Sequence, residues 1–228
     1  MLERLSSFWL AAFSLALAPA VEAQTHRTQR DEWQKVAEIF AAMDIQVGDQ
    51  VADIGAGSGF FTARLSPLLG PQGRVIAVDI DDSAIRELER LIRQSSLDNV
   101  ELVLSEPDDP RLAPNSIDAA LIVISYHEME AHQEMLAGIR QALRPGTRLV
   151  IVDNAARDPT QSRQAQMRLH HIDIALVERD LEAAGFEIIE RRPHFIDGDF
   201  NGNRRRHWML VATPLQGWQT NLPASRAP

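Results

Sequence analysis

Cysteine is absent from all 228 residues. That excludes disulfides, zinc–thiolate sites, iron–sulfur clusters and cysteine nucleophiles, and with them any lipid anchor on cysteine. Lysine is almost absent as well: Lys35 is the only one, so arginine carries nearly all the positive charge. Basic residues are outnumbered, 23 Lys and Arg against 32 Asp and Glu, which leaves a formal net charge of −9. Nucleic acid is a poor partner for such a chain, because phosphate binding needs a basic footprint. Tyrosine occurs once, at Tyr126. There is also no apolar run of full membrane-spanning length. The stretch from Leu5 to Ala20 falls short of the roughly 20 residues that a helix needs to cross a bilayer.

What that stretch does resemble is an export leader. It follows Arg4, is apolar on all sides, and gives way to small residues at Val21 and Ala23 in an A-x-A-like pattern. Glu3 offsets the charge of Arg4. The expectation is a cleavable signal peptide over residues 1–23, placing the mature chain outside the cytoplasm, in a periplasm, with no stable membrane insertion. An uncleaved anchor over residues 5–20 is the second reading, and a cytoplasmic protein follows if translation starts later. Residues 24–213 then form one domain, and 214–228, without periodicity, a flexible tail.

Within the domain, hydrophobic patterning alternates between two periods. Val36, Ile39, Phe40 and Met43 recur at helical spacing. Short apolar runs at Gln50 to Ile54, 74–80, Val100 to Leu104, Ile117 to Ile124 and 148–153 read as buried strands. Helical segments separate them: one running up to Leu69, one with Ile85, Leu88 and Ile92 on its apolar face and capped by Asp82 or Ser83, and one over His132 to Leu143. A further helix, about Ile174 to Ala184 and capped by Asp173, stops at Gly185. Two last strands, Phe186 to Arg192 and His207 to Thr213, close the pattern around a loop at 193–206. Strands alternating with helices predict an α/β fold, a Rossmann-like doubly wound seven-stranded sheet that is mostly parallel with an antiparallel last strand.

In such a sheet, ligands bind beyond the carboxyl ends of the strands, where the strand order reverses. The stretch VADIGAGSGFF sits between the first strand and its helix. Three glycines on alternate positions, Gly55, Gly57 and Gly59, exceed what a bare turn needs, since glycine admits close backbone approach to a ligand. A dinucleotide fingerprint, G-x-G-x-x-G, wants its third glycine at position 60, which is Phe60. The run Asp53-Ile54-Gly55-Ala56-Gly57-Ser58-Gly59 instead resembles motif I of the class I S-adenosylmethionine-dependent methyltransferases. LRPGTRLVIVD, AAGFEIIERR and HWMLVATP are similar to later segments of that family, in order. The resemblance covers about residues 31–213 and is nearest to quinone-biosynthesis and small-molecule methyltransferases.

The resemblance implies S-adenosyl-L-methionine as cofactor and a small molecule as methyl acceptor. It places Asp53, Gly55, Ala56, Gly57 and Gly59 beside the methionine part. It puts Asp79 on the ribose hydroxyls with Ile80 next to it, and an acid after the third strand on the adenine amino group. That acid is read as Asp108, with Glu106 and Asp109 as rivals. The end of the fourth strand faces the methyl group in this family, and there the chain reads ISYHEMEAH. Tyr126 and His127 are therefore the catalytic candidates: His127 as a base near neutral pH or as a loop residue paired with Glu128, Tyr126 as a pocket wall or hydrogen-bond donor.

Two metal motifs fail on spacing. The histidines of HEMEAH are five apart, whereas the zincin helix needs four. Asp153-Asn154 resembles part of a magnesium site but lacks its third acid, so Asp153 reads as a pocket-lining strand end and no metal is expected. His170 and His171, before the Asp173 cap, read as solvated loop residues, with one of them facing the pocket as the alternative. Arg204, Arg205 and Arg206 read as a solvated hairpin tip or as a lid for an anionic acceptor. A chain that binds S-adenosyl or related nucleoside ligands after export without turnover is the alternative function. The acceptor, the atom methylated and the oligomeric state are not legible.

Overall fold

The fourth strand lies beside the first rather than beside the third, and that reversal organises the molecule. The computed structural model describes residues 29–218; the leader expected at 1–23 and most of the tail expected at 214–228 lie outside them. The chain falls into two units, one ending at Glu38 and one beginning at Ile39. In order, the elements are α1 (Val36–Met43), β1 (Gln50–Ile54), α2 (Thr62–Leu69), β2 (Arg74–Asp79), α3 (Asp82–Ser95), β3 (Val100–Leu104) and β4 (Ile117–Val123). A 3₁₀ turn (Tyr126–Glu128) follows, then α4 (His132–Ala142), β5 (Leu143–Asn154), α5 (Arg163–Arg168), α6 (Ile174–Ala183), β6 (Phe186–Phe200) and β7 (Asn203–Pro214).

The seven strands run in the order β3-β2-β1-β4-β5-β7-β6. The pairs from β3 through β5 are parallel, while β7 is antiparallel to both β5 and β6. The expected doubly wound sheet is therefore present, with the reversal between β1 and β4. Central strands are buried on both faces, so they read as unbroken apolar runs such as Ala119–Ile122, all fully buried. The core collects Ile54, Val78, Ile122, Leu136, Ile151, Leu181 and Trp208 from strands and helices alike. Trp208 is fully buried and satisfies its indole by donating to the Ile172 carbonyl, 2.9 Å away.

Several local expectations need correction. The cap of α3 is Asp81, whose carboxylate accepts from the Ser83 amide, rather than Asp82 or Ser83. Asp173 stands at the first cap position of α6, but its side chain makes no capping bond there. The strand β5 begins at Leu143, where a register shift separates its first pair from the run at Arg148 onward. The expected loop at 193–206 is strand: β6 and β7 continue as a hairpin to Phe200 and Asn203. Its turn, Asn201-Gly202, has both residues at positive φ, the two-residue turn whose twist matches paired strands. In that hairpin Arg204 pairs with Asp197, and Arg204, Arg205 and Arg206 face Asp199, Gly198 and Asp197 across the ladder. One of the three arginines is thus committed within its own hairpin, which weakens the reading of a cationic lid. At the other end, the first residues of the tail are held: the Leu215 amide donates to the Gly185 carbonyl, 2.9 Å away. Among the described residues, no helix is long and apolar enough to cross a membrane.

Candidate active site

The glycine loop leaves β1 at the switch point and is fastened to the neighbouring strand by backbone bonds. The amides of Gly55 and Ala56 both donate to the Val78 carbonyl, at 2.8 and 3.1 Å. Gly55 has φ +69°, and a β-carbon on it would stand 2.5 Å from Ser125 Oγ. Glycine is required there both by conformation and by the closeness of the end of β4. Gly57, at φ +54°, faces open space. Its amide donates to Asp79 Oδ2 at 2.8 Å, and the Asp81 amide donates to Asp79 Oδ1 at 2.9 Å. Asp79 thus braces the loop it was expected to serve; a carboxylate has further lone pairs for a hydroxyl donor.

Asp53 sits beneath the loop, buried, accepting a 2.6 Å bond from the Thr62 hydroxyl. Burial pushes its carboxyl up to about 6, against the lowering effect of Thr62, and the charge of Asp79 adds to the rise. Next to Asp79, Ile80 exposes more than half its surface, at 56%. An exposed isoleucine beside a bracing carboxylate is an apolar platform of the kind a planar ring covers. Of the three acids after β3, Glu106 pairs with Arg111 and Asp109 accepts from the Arg111 amide at 2.7 Å. Among the described residues no hydrogen bond or ion pair engages the Asp108 carboxylate, so it is the acid left to meet a ligand.

A second group of side chains gathers beyond β4 and β5. Ile124 takes a left-handed backbone, φ +55°, an unusual state for a β-branched residue, while its amide donates to the Val152 carbonyl at 2.8 Å. This turns the chain over the end of β5 and seats the 3₁₀ turn there. Tyr126 points inward: it is 1% exposed, and its hydroxyl donates to Asp180 Oδ2 at 2.8 Å. Asp180 also binds Arg163, and Gln133 donates to it. Burial first, then the Asp180 charge, pushes the Tyr126 phenol far above its ordinary value. Its hydroxyl therefore ties α6 to the turn and has no free proton to offer a substrate.

His127 is 2% exposed and doubly bound to Asp153, which is fully buried. Its amide donates to Asp153 Oδ2 at 3.0 Å, and its ring Nδ1 lies 2.7 Å from Oδ1. Burial alone would pull this imidazole down. The hydrogen bond and charge of Asp153, with the charge of Glu128, outweigh that and hold it above the ordinary histidine value. In the neutral ring, with Nδ1–H donated to Asp153, Nε2 carries the lone pair; protonated, it carries a proton toward Glu128, 3.6 Å away. Sequence reasoning made Asp153 a pocket-lining strand end; it has no exposed surface and instead orients the histidine from below.

Of the paired histidines, His170 is exposed and lies 3.6 Å from Glu128, with its ring 5.6 Å from that of His127. His171 is buried, and neither of its ring nitrogens has a hydrogen-bond partner. Burial first, then the nearby charges of Arg157 and His127, hold it below the ordinary histidine value. The reading of both as solvated residues holds for His170 alone. Glu128, read from the sequence as a partner of His127, does lie beside it; Asp180 was missed, and nothing local to it marks it as a member of this end.

Comparison with known proteins bears on the first group. Residues 52–149 match the methyltransferase domain. That segment is less than half of the chain, and it carries the whole glycine loop, Asp79 and Asp108. The chain is similar to ubiquinone/menaquinone biosynthesis C-methyltransferase UbiE of Pseudomonas putida (strain GB-1), 29% identical over 110 residues. The alignment takes in 48% of this chain and 43% of that one, so the chain spans under half the length of the curated relative it matches. Among solved structures, a SAM-dependent methyltransferase from Aquifex aeolicus superposes with TM-score 0.66 at 22% identity, over 82% of this chain and 93% of that one. The [4+2]-cyclase SpnF does so with TM-score 0.68 at 16% identity, over 81% and 82%. The fold is shared, and it hosts more than one reaction.

Proposed function

We propose that the chain binds S-adenosylmethionine across the carboxyl ends of β1, β2 and β3 and transfers its methyl group to a small-molecule acceptor. The observation that carries this reading is the glycine loop at the strand-order reversal, braced from β2 by Asp79, with exposed Ile80 and uncommitted Asp108 beside it. Each suits one part of the ligand: backbone for the methionine, a carboxylate for hydroxyl donors, an apolar platform for the adenine face, an acceptor for its amino group. The matched methyltransferase segment and the UbiE likeness support the same reading.

The cofactor supplies an activated methyl group on sulfur, and the chain has to hold the acceptor in line and keep water out. The acceptor is read as docking against the ends of β4 and β5, where His127 offers Nε2. Tyr126 serves as a positioning residue there, not as a proton donor. We also read residues 1–23 as an export leader and 24–213 as the domain that works outside the cytoplasm.

The test is turnover. The full chain is incubated with S-adenosylmethionine and pooled phenolic, quinol and amine acceptors, and S-adenosylhomocysteine is followed. Acceptor-dependent product that falls on Asp79→Ala supports the reading. Saturable cofactor binding with no product from any pool favours a silent binder instead.

A further inference from the structure

We propose that His127, Glu128 and His170 form a site for one divalent transition-metal ion, held by two imidazoles and one carboxylate. Their ligand atoms all lie within 4.8 Å of one another. Glu128 Oε1 stands 3.6 Å from His127 Nε2 and 3.6 Å from His170 Nδ1. Two ligands at ~2.1 Å from a tetrahedral ion are about 3.4 Å apart, so a small inward movement of exposed side chains completes the geometry.

A chance contact of surface histidines with a glutamate would not need what lies behind it. His127 gives its Nδ1 proton to Asp153, a carboxylate with no exposed surface, which fixes the tautomer that presents a lone pair at Nε2. Carboxylate–histidine pairing of this kind is the usual support of a metal-binding imidazole. His170 is placed as deliberately. Asn154 Nδ2 donates to its carbonyl at 2.8 Å, the Ile172 amide donates to the Asn154 carbonyl at 3.0 Å, and Ala155 bridges Ile172 in parallel. Those bonds bring the 170–172 segment, remote in sequence, to the end of β5.

Nitrogen and oxygen donors together favour zinc, iron(II), cobalt or nickel over magnesium and calcium, which take oxygen. Three protein ligands also leave positions open. On the methyl-transfer reading above, those positions suit an acceptor that offers an oxygen; the binding of the ion does not depend on that reading.

The full chain without a histidine tag, stripped by chelator, is titrated with Co²⁺ alone by visible absorption and with Zn²⁺ by equilibrium dialysis. One saturable ion per chain is expected. Glu128 and His170 have side chains 62% and 73% exposed, so Glu128→Gln and His170→Ala should fold normally. Each should weaken binding by at least about tenfold, and Asp153→Asn by ~10–100-fold. His194→Ala, an exposed histidine elsewhere, should change nothing. S-adenosylmethionine binding, measured on the same samples, should survive Glu128→Gln and His170→Ala. Absence of saturable binding in the wild type, or unweakened binding in both exposed variants, overturns the metal site. Lost cofactor binding with the ion retained would strike the proposed function instead.

Discussion

The two halves of the sheet are built to hold things in different ways. On the β1–β2–β3 side, the site is backbone: amides of a glycine loop, bonded to Val78 and Asp79, with partners at most about two dozen residues apart. On the β4–β5 side, it is side chain on side chain: Tyr126 with Asp180, His127 with Asp153, Glu128 with His170. The first kind of site needs no particular residue beyond glycine and Asp79, so it is set by the backbone of the fold. The second can be rebuilt by exchanging single residues, which on the proposed function suits the selection of an acceptor.

The sharpest way to break the contrast is to put a side chain into the backbone half. Gly55→Ala must carry a left-handed backbone and meet Ser125, which together should destabilise by about 2 to 5 kcal/mol. In thermal or urea unfolding, Gly55→Ala with Ser125→Gly should recover the crowding share but not the conformational one. Full recovery would mean that the loop has no need of positive φ.

Next in size is Asp53. Its folded carboxyl, raised by burial to about 6, exceeds its ordinary value of 3.8, so the protonated form is the one that folding favours. The stability it contributes is complete below about pH 4 and is lost as pH rises through about 6, a swing of about 3 kcal/mol. Unfolding measured across pH 4 to 7 should show this fall in the wild type and a flatter profile in Asp53→Asn. Equal profiles would contradict the assigned burial cost.

Tyr126→Phe separates positioning from chemistry in the other half. It removes one of several bonds to Asp180 and should lower stability by about 1 to 2 kcal/mol. Cofactor affinity should not move; a large affinity loss would join the two halves into one site. Smallest is Asp108→Ala, which should weaken S-adenosylmethionine by roughly tenfold, about one hydrogen bond to a charged group. Glu106→Ala, which removes one of the partners of Arg111, should leave that affinity close to unchanged.

The same contrast decides what could be read from the sequence. The glycine loop, Asp79 and the buried strands are local patterns, and all stand where periodicity and the family resemblance put them. Asp108 could not be told from Glu106 and Asp109 because the difference lies in Arg111, which occupies its two neighbours. The histidine end was opaque because its pairings join residues 26 to 54 apart. Adjacent parallel strands β4 and β5 do offer a hint, since their ends must meet. The long hairpin was missed for another reason: its strands are polar, but Asn201-Gly202 was a legible turn signal. The helix α5 is six mostly polar residues, too short for periodicity to register.

The most direct test of the central claim is calorimetric titration of the full chain with S-adenosylmethionine, repeated on Asp79→Ala. A saturable one-to-one isotherm in the wild type, lost in the variant, is the predicted result. An unbound wild type would contradict the account and leave the braced glycine loop as an element of the fold alone.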